Sequence, residues 1–191
     1  MKLALLAAGF ATRMYPLTVN YPKPLLEIQG QVLLTRLLNQ ALETGVINEA
    51  AVIVNEKFKN KFINWASRQD YPVNVVVNKA KNPENSPGAL NDLRLLFEKG
   101  YQDSDESPWM ILAGDNLIDF PLYEAVCKQA RNVEQPLFLV REIEEAVPPN
   151  RYSEVILDGN GLVVNIREKP DNPSSSLSAI CAYLMPTDFP H

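Results

Sequence analysis

Apolar residues along the chain come in two rhythms. Short, mostly apolar runs at Leu3–Ala8, Ala50–Val54, Val73–Val77, Trp109–Ala113 and Pro136–Arg141 have the length and composition of strands. The first run is apolar on both faces, which predicts a central place in a parallel sheet. Between these runs the apolar positions recur at helical spacing. Val32–Thr44 places Leu33, Leu34, Leu37, Leu38, Ala41 and Leu42 on one face, opposite Arg36, Asn39, Gln40 and Glu43, and Gly45 suits its stop. Lys57–Arg68 carries Phe58, Phe62 and Trp65 as its buried stripe. Gly88–Lys99 is expected to turn Leu90, Leu93, Leu96 and Phe97 inward, and Leu122–Arg131 is a further helix. After Arg151 the rhythm changes. Ser153–Leu157 and Leu162–Arg167 form a predicted hairpin around Asp158-Gly159-Asn160-Gly161, and Ser178–Leu184 a last strand. Strands alternating with helices predict an α/β class: a three-layer fold with a mostly parallel sheet, extended late by an antiparallel hairpin.

Length and charge narrow this picture. A chain of 191 residues with 46% hydrophobic and 21% charged residues suits one folded domain with a substantial core. A net charge of −5 argues against bulk nucleic-acid binding, which needs a basic face. Cys127 and Cys181 stand far apart, which favours neither a zinc framework nor a disulfide scaffold. The single histidine, His191, is the last residue, so histidine acid–base chemistry is not expected. No apolar stretch is long enough for a membrane helix, and residues 1–8 are too short for a signal peptide. The expected setting is cytoplasmic.

Against this acidic background one segment stands out. Gly9–Pro24 is a long basic loop directly after the first strand. In open α/β sheets, ligands bind beyond the carboxyl ends of the strands, and irregular loops longer than about 12 residues are often functional. Gly9 lets backbone N–H groups approach a ligand closely, Thr12 offers a hydroxyl, Arg13 can fork onto two phosphate oxygens, and Lys23 adds a point charge between Pro22 and Pro24. Each residue alone better suits a turn or a solvated surface. Their clustering points to a polyphosphate site. The spacing matches neither the glycine-lysine-serine phosphate loop nor the full dinucleotide fingerprint.

The stretch Leu6-Ala7-Ala8-Gly9-x-x-Thr12-Arg13-x-x-Pro16-Leu17-Thr18, followed by Pro22-Lys23-Pro24-Leu25, resembles the signature of the sugar-1-phosphate nucleotidyltransferases, or NDP-sugar pyrophosphorylases. Ala113-Gly114-Asp115, Arg151-Tyr152 and Glu168-Lys169-Pro170 are similar to further landmarks of that family, in order along nearly the whole chain. The resemblance implies a Rossmann-like fold and a reaction joining a nucleoside triphosphate to a sugar 1-phosphate with Mg²⁺ as cofactor. It also implies roles. Arg13 and Lys23 would be catalytic and Asp115 would bind the metal. Leu6, Ala8, Gly9 and Thr12 would contact the nucleotide, with Gly88 against the base. Glu168 would accept from sugar hydroxyls and Lys169 would neutralise the sugar phosphate. It leaves room for a homo-oligomer.

The chain departs from the pattern in places. Ala11 stands where many relatives have glycine, which is tolerable if its φ stays negative. Ser153 and Cys181 also stand at or near family glycines and are expected beside the sugar. The family's tryptophan-aspartate-glycine-like segment, which supplies a second Mg²⁺ ligand, is absent. The expectation is therefore a single nucleotidyltransferase domain over residues 1–191 with the C-terminal part of the family domain missing. Two other readings stay open: a nucleotide-sugar-binding or regulatory module without turnover, and a cytidylyltransferase using choline phosphate or a similar alcohol phosphate.

Overall fold

A computed structural model of the protein describes residues 1–101, 107–131 and 134–187; His191 lies outside them. In chain order the elements are β1 (Lys2–Leu6), β2 (Glu27–Ile28), β3 (Gln31–Val32), α1 (Leu33–Leu42), β4 (Glu49–Asn55), α2 (Lys59–Ala66), β5 (Val73–Asn78), α3 (Ala89–Lys99), β6 (Trp109–Ala113), α4 (Leu122–Gln129), β7 (Leu137–Glu142), β8 (Glu154–Leu157), β9 (Val163–Arg167) and β10 (Leu177–Met185). Short 3₁₀ turns at Thr12–Met14 and Lys23–Leu25 punctuate the loop after β1.

One sheet of eight strands organises the molecule, in the order β5-β4-β1-β6-β10-β8-β9, with β7 also paired to β10. The first four are parallel, and β1 lies between β4 and β6 as its two-sided apolar run predicts. Side chains alternate across the pleat. Leu3, Leu5, Val52 and Leu112 face the layer of α1, α2 and α4, whereas Ala4, Ile53 and Ile111 face α3. Trp65 and Trp109 are core residues.

The expected inward stripe of α3 needs one correction. Leu90 is 84% exposed, while Asp92 is buried and accepts a hydrogen bond from Asn78 Nδ2 at 2.6 Å. The helix is rotated so that this polar pair, rather than Leu90, faces the end of β5. The β2–β3 ribbon is an addition to the elements predicted from the pattern; its turn places Gln29 and Gly30 at φ +54° and +78°.

The late hairpin forms as expected, with β8 and β9 antiparallel around a turn in which Asp158 accepts from the backbone of Asn160 and Leu162. The strand that joins this half to the parallel half is β10. Its C-terminal residues pair antiparallel with β6, Ala182 opposite Leu112, and its N-terminal residues run on past the end of β6 to meet β7 and β8. The register breaks between Ala179 and Tyr183. A bulge in this position re-aims the strand. The antiparallel half thus stands as a wall beyond the carboxyl edge of the parallel strands.

Candidate functional site

The loop after β1 is tightly tied down. Ala11 O accepts from Met14 N at 2.9 Å and from the fully buried Thr18 Oγ1 at 2.8 Å, so the segment carrying Thr12 and Arg13 is closed onto itself. Ala11 takes φ +48°, so the condition of a negative φ, under which alanine is tolerable here, is not met. The left-handed conformation is what lets the chain turn here, and a Cβ makes it costly. Lys23 is held as its proline flanks suggest. Pro22 and Pro24 are buried, and Leu25 N and Leu26 N close back onto Pro22 O and Lys23 O.

The far side of the site comes from the end of β6. Gly114 N donates to Leu6 O at 2.8 Å, and a Cβ on Gly114 would meet Leu6 O and Leu34 Cδ1 at 3.1 Å. Glycine there lets the two strand ends approach, and the next residue, Asp115, faces the loop. Lys23 Nζ lies 2.9 Å from Asp115 Oδ2. Ninety-two residues separate these groups in sequence, so the tertiary fold brings them together.

Asp115 of this pair lines an open cavity of about 480 Å³ whose wall also includes Arg13, Ser153, Glu168, Lys169 and Cys181; Lys23 stands outside that wall. Lys169 Nζ lies 2.8 Å from Glu168 Oε1, and Ser153 Oγ donates to Glu168 Oε2. The Lys169 and Ser153 hydrogen bonds hold the Glu168 carboxyl below its ordinary value, and the Arg13 charge adds to them. Cys181 sits in the β10 bulge at φ +51°, and burial pushes its thiol up, helped by the Asp115 and Glu168 charges. Ser153 and Cys181 therefore line the same cavity as Glu168, beside the groups expected to meet the sugar.

The remaining predicted residues lie outside this cavity wall. Leu6 O is engaged by Gly114, and Ala8 O accepts from Asn55 Nδ2 at 3.0 Å. Gly9 and Thr12 are exposed, and a Cβ on Gly9 would meet nothing within 4 Å, so internal packing does not require glycine there. Gly88 opens α3 at φ +85°, a conformation that favours glycine, and its missing Cβ also faces open space.

Two residues escaped the sequence reading. Asn55, fully buried at the end of β4, pins Ala8 O and also accepts from Phe58 N at 3.0 Å, so it fixes the start of the loop. Its signal was a polar residue closing an apolar strand just before a helix. Asn116 Nδ2 donates to Ile180 O at 2.5 Å and ties the β10 bulge to the end of β6; no local pattern announces it.

A cationic loop closed against a strand-end carboxylate, at the carboxyl edge of a parallel sheet, is an arrangement suited to holding anions. The comparisons with known proteins agree with that class and specify it. The chain belongs to the nucleotidyl transferase family, whose model matches residues 2–189. It is 30% identical over 179 residues to the UTP–glucose-1-phosphate uridylyltransferase AglF of Haloferax volcanii, covering 93% of this chain and 68% of that one. It is 26% identical over 179 residues to the mannose-1-phosphate guanyltransferase of Hypocrea jecorina, covering 91% of this chain and 43% of the relative. The chain thus spans about two thirds of one relative and less than half of the other. Among solved structures, a Bacillus anthracis protein assigned as a glucose-1-phosphate thymidylyltransferase superposes with a TM-score of 0.82 at 18% identity, over 98% of this chain and 72% of that one. The inositol-1-phosphate CTP transferase of T. maritima gives 0.74 at 18% identity, over 97% and 70%. These two show the shared fold. Among the described residues, no helix is long and apolar enough to cross a membrane.

Proposed function

We propose that the protein transfers a nucleotidyl group from a nucleoside triphosphate to a sugar 1-phosphate. The observation that carries this reading is the Lys23–Asp115 contact at 2.9 Å, on the rim of a cavity that also holds Arg13, Glu168 and Lys169. In the reaction an oxygen of the sugar phosphate attacks the α-phosphorus, the bond to the bridging oxygen breaks, and pyrophosphate leaves with the electron pair. The nucleophile is already anionic, so the chain needs no strong base. It needs positive charge where two anions meet and where the leaving group forms.

Arg13 would hold the β- and γ-phosphates, and Lys23 would sit between the reacting phosphates. Leu6, Ala8, Gly9 and Thr12 would offer backbone and hydroxyl contacts to the nucleotide. The open faces of Gly9 and Gly88 leave room for the nucleotide to lie against backbone, with the base at Gly88. Lys169 would neutralise the sugar phosphate and Glu168 would accept from sugar hydroxyls.

The donor set also bears on Mg²⁺. Among the described residues no three His, Cys, Asp or Glu side chains cluster into a ready metal cage. Mg²⁺ commonly uses one or two carboxylates and takes its other oxygens from phosphates and water. Asp115, partly exposed and facing the cationic loop, fits a metal that arrives with the triphosphate. Asp115 would hold the ion, which when bound supplies further charge neutralisation.

The test is pyrophosphate release with Mg²⁺, each nucleoside triphosphate and a panel of sugar 1-phosphates. Wild-type protein is expected to release pyrophosphate in step with NDP-sugar. Lys23→Ala and Asp115→Ala are each expected to slow release about 100-fold or more, the scale of losing one electrostatic stabiliser. Turnover indifferent to both substitutions would reject these roles. Nucleotide binding without turnover on the whole panel would favour a regulatory module.

A further inference from the structure

Both oxygens of the Glu168 carboxylate have a partner within the protein. Lys169 Nζ lies 2.8 Å from Glu168 Oε1, and Ser153 Oγ donates to Glu168 Oε2. The three residues come from two segments: Ser153 immediately precedes β8, and Glu168 and Lys169 follow β9. All three line the cavity on the side of the antiparallel wall, with Arg141 and Arg151. Successive residues of an extended strand point to opposite faces, so Glu168 and Lys169 would ordinarily part. Lys169 takes φ +42°, which ends that alternation and turns its ammonium back onto the carboxylate of its own neighbour. A side chain in the left-handed region is costly, and residues held there gather at ligand sites.

Ser153 is itself anchored. Its carbonyl accepts from Ala179 N of β10 at 3.2 Å, and Asn150 N donates to Pro170 O at 3.0 Å, which draws the segment before β8 to the segment after β9. The hydroxyl thus reaches Glu168 from a backbone fixed by the sheet. Glu168, by contrast, has a side chain 66% exposed. An exposed glutamate without such contacts samples several rotamers, and ordering it on binding costs affinity. With both contacts made, its two oxygens present a fixed plane, and each keeps a further lone pair for an incoming donor. Two acceptors side by side suit adjacent hydroxyls of a polyol.

We propose that Ser153 is a positioning residue for the acceptor: its hydroxyl, together with the Lys169 ammonium, holds the Glu168 carboxylate in the orientation that receives the hydroxyls of the sugar ring. The inference rests on the nucleotidyl-transfer reading and adds a residue to its acceptor side. Ser153 acts through Glu168 and needs no contact with the sugar. Removing its hydroxyl therefore weakens the sugar 1-phosphate, leaves nucleotide binding to the loop after β1 unchanged, and matters only while Glu168 is present.

The experiment is calorimetric titration of the full chain with glucose 1-phosphate and with mannose 1-phosphate. Mg²⁺ and non-hydrolysable nucleoside triphosphate analogues are present, one base at a time, and each analogue is also titrated alone. Ser153→Ala is expected to weaken the tighter-bound sugar phosphate about three- to tenfold, the scale of immobilising one long side chain. The analogue affinity is expected to stay as in wild type. Ser153→Thr, which keeps the hydroxyl, is expected to recover most of the loss. In a Glu168→Ala background, Ser153→Ala is expected to have no further effect, as for two residues that act as a unit. Four results would each overturn the inference and leave nucleotidyl transfer standing: sugar-phosphate affinity unchanged in Ser153→Ala, equal weakening of the analogue, a threonine variant no better than the alanine one, or the same loss with and without Glu168. Wild-type binding of the analogue with no binding of either sugar phosphate would overturn both.

Discussion

The loop after β1 and the wall around β10 face each other across one cavity, yet they are fixed by different means. Beyond its start, where Asn55 of β4 pins Ala8 O, the loop is held locally. Thr18 bonds back to Ala11 seven residues away, two prolines bracket Lys23, and short turns close every few residues. The wall is held by distant partners. Glu154 at the start of β8 is fully buried and accepts from the backbone of Ser174 and Ser175 and from Arg167 Nε at 2.7 Å, so one carboxylate joins β8, β9 and the segment entering β10. The contrast shows why this site has two halves with separate tolerances. The half carrying Arg13 and Lys23 depends chiefly on its own sequence, with Asn55 and Asp115 as its distant partners, while the half carrying Glu168 and Arg141 depends on the sheet staying paired.

The contrast is broken most severely at Glu154. Burial alone pushes its carboxyl up, but the Ser174 and Ser175 N–H groups and the Arg167 guanidinium outweigh it and hold the value below the ordinary range. Glu154→Ala leaves these donors without their acceptor and is expected to cost about 2–4 kcal/mol in a denaturant melt. The lowered value also sets a pH dependence. A carboxyl whose value is depressed in the folded state contributes stability that is fully present above the ordinary glutamate range and is lost as pH falls through the lowered value. The stability gap between wild type and Glu154→Gln is therefore expected to narrow on acidification below about pH 4. A gap constant from neutral pH into acid would mean that the charge of Glu154 is irrelevant.

Thr18→Val sharpens the comparison on the loop side. The substitution keeps the shape and removes the hydroxyl that bonds Ala11 O. It is expected to destabilise by about 1–2 kcal/mol and to weaken nucleotide binding more than sugar-phosphate binding. Calorimetry with both ligands separates the two effects, and equal weakening of both would argue against two independently held halves.

The smallest effect is expected where a side chain occupies a left-handed backbone. At Ala11, φ +48° favours glycine, and Ala11→Gly is expected to stabilise by less than about 1 kcal/mol, since the relief is partly offset by the greater freedom of glycine when unfolded. Thermal melts would register a rise of a degree or two. A clear loss of stability would contradict the strain.

Much of this was legible in the sequence, unevenly for the same physical reason. The parallel half declares itself through unbroken apolar runs and helical stripes, and Lys23 between prolines announces a held cation. Leu90 misled because α3 offers apolar residues on more than one face, and the buried Asn78–Asp92 pair settles its rotation. The β2–β3 ribbon is two residues per strand, too short for any period to show. Arg141 read only as the end of a strand, because which face it presents depends on pairing with β10 from beyond residue 177. The left-handed Cys181 follows from a bulge that only its neighbours' register reveals.

The most direct test is the affinity of the wild-type chain and of Arg13→Ala for a non-hydrolysable nucleoside triphosphate with Mg²⁺, by titration calorimetry. If the loop after β1 holds the phosphates, the substitution is expected to weaken binding about tenfold or more. An affinity that does not change would contradict the account at its root.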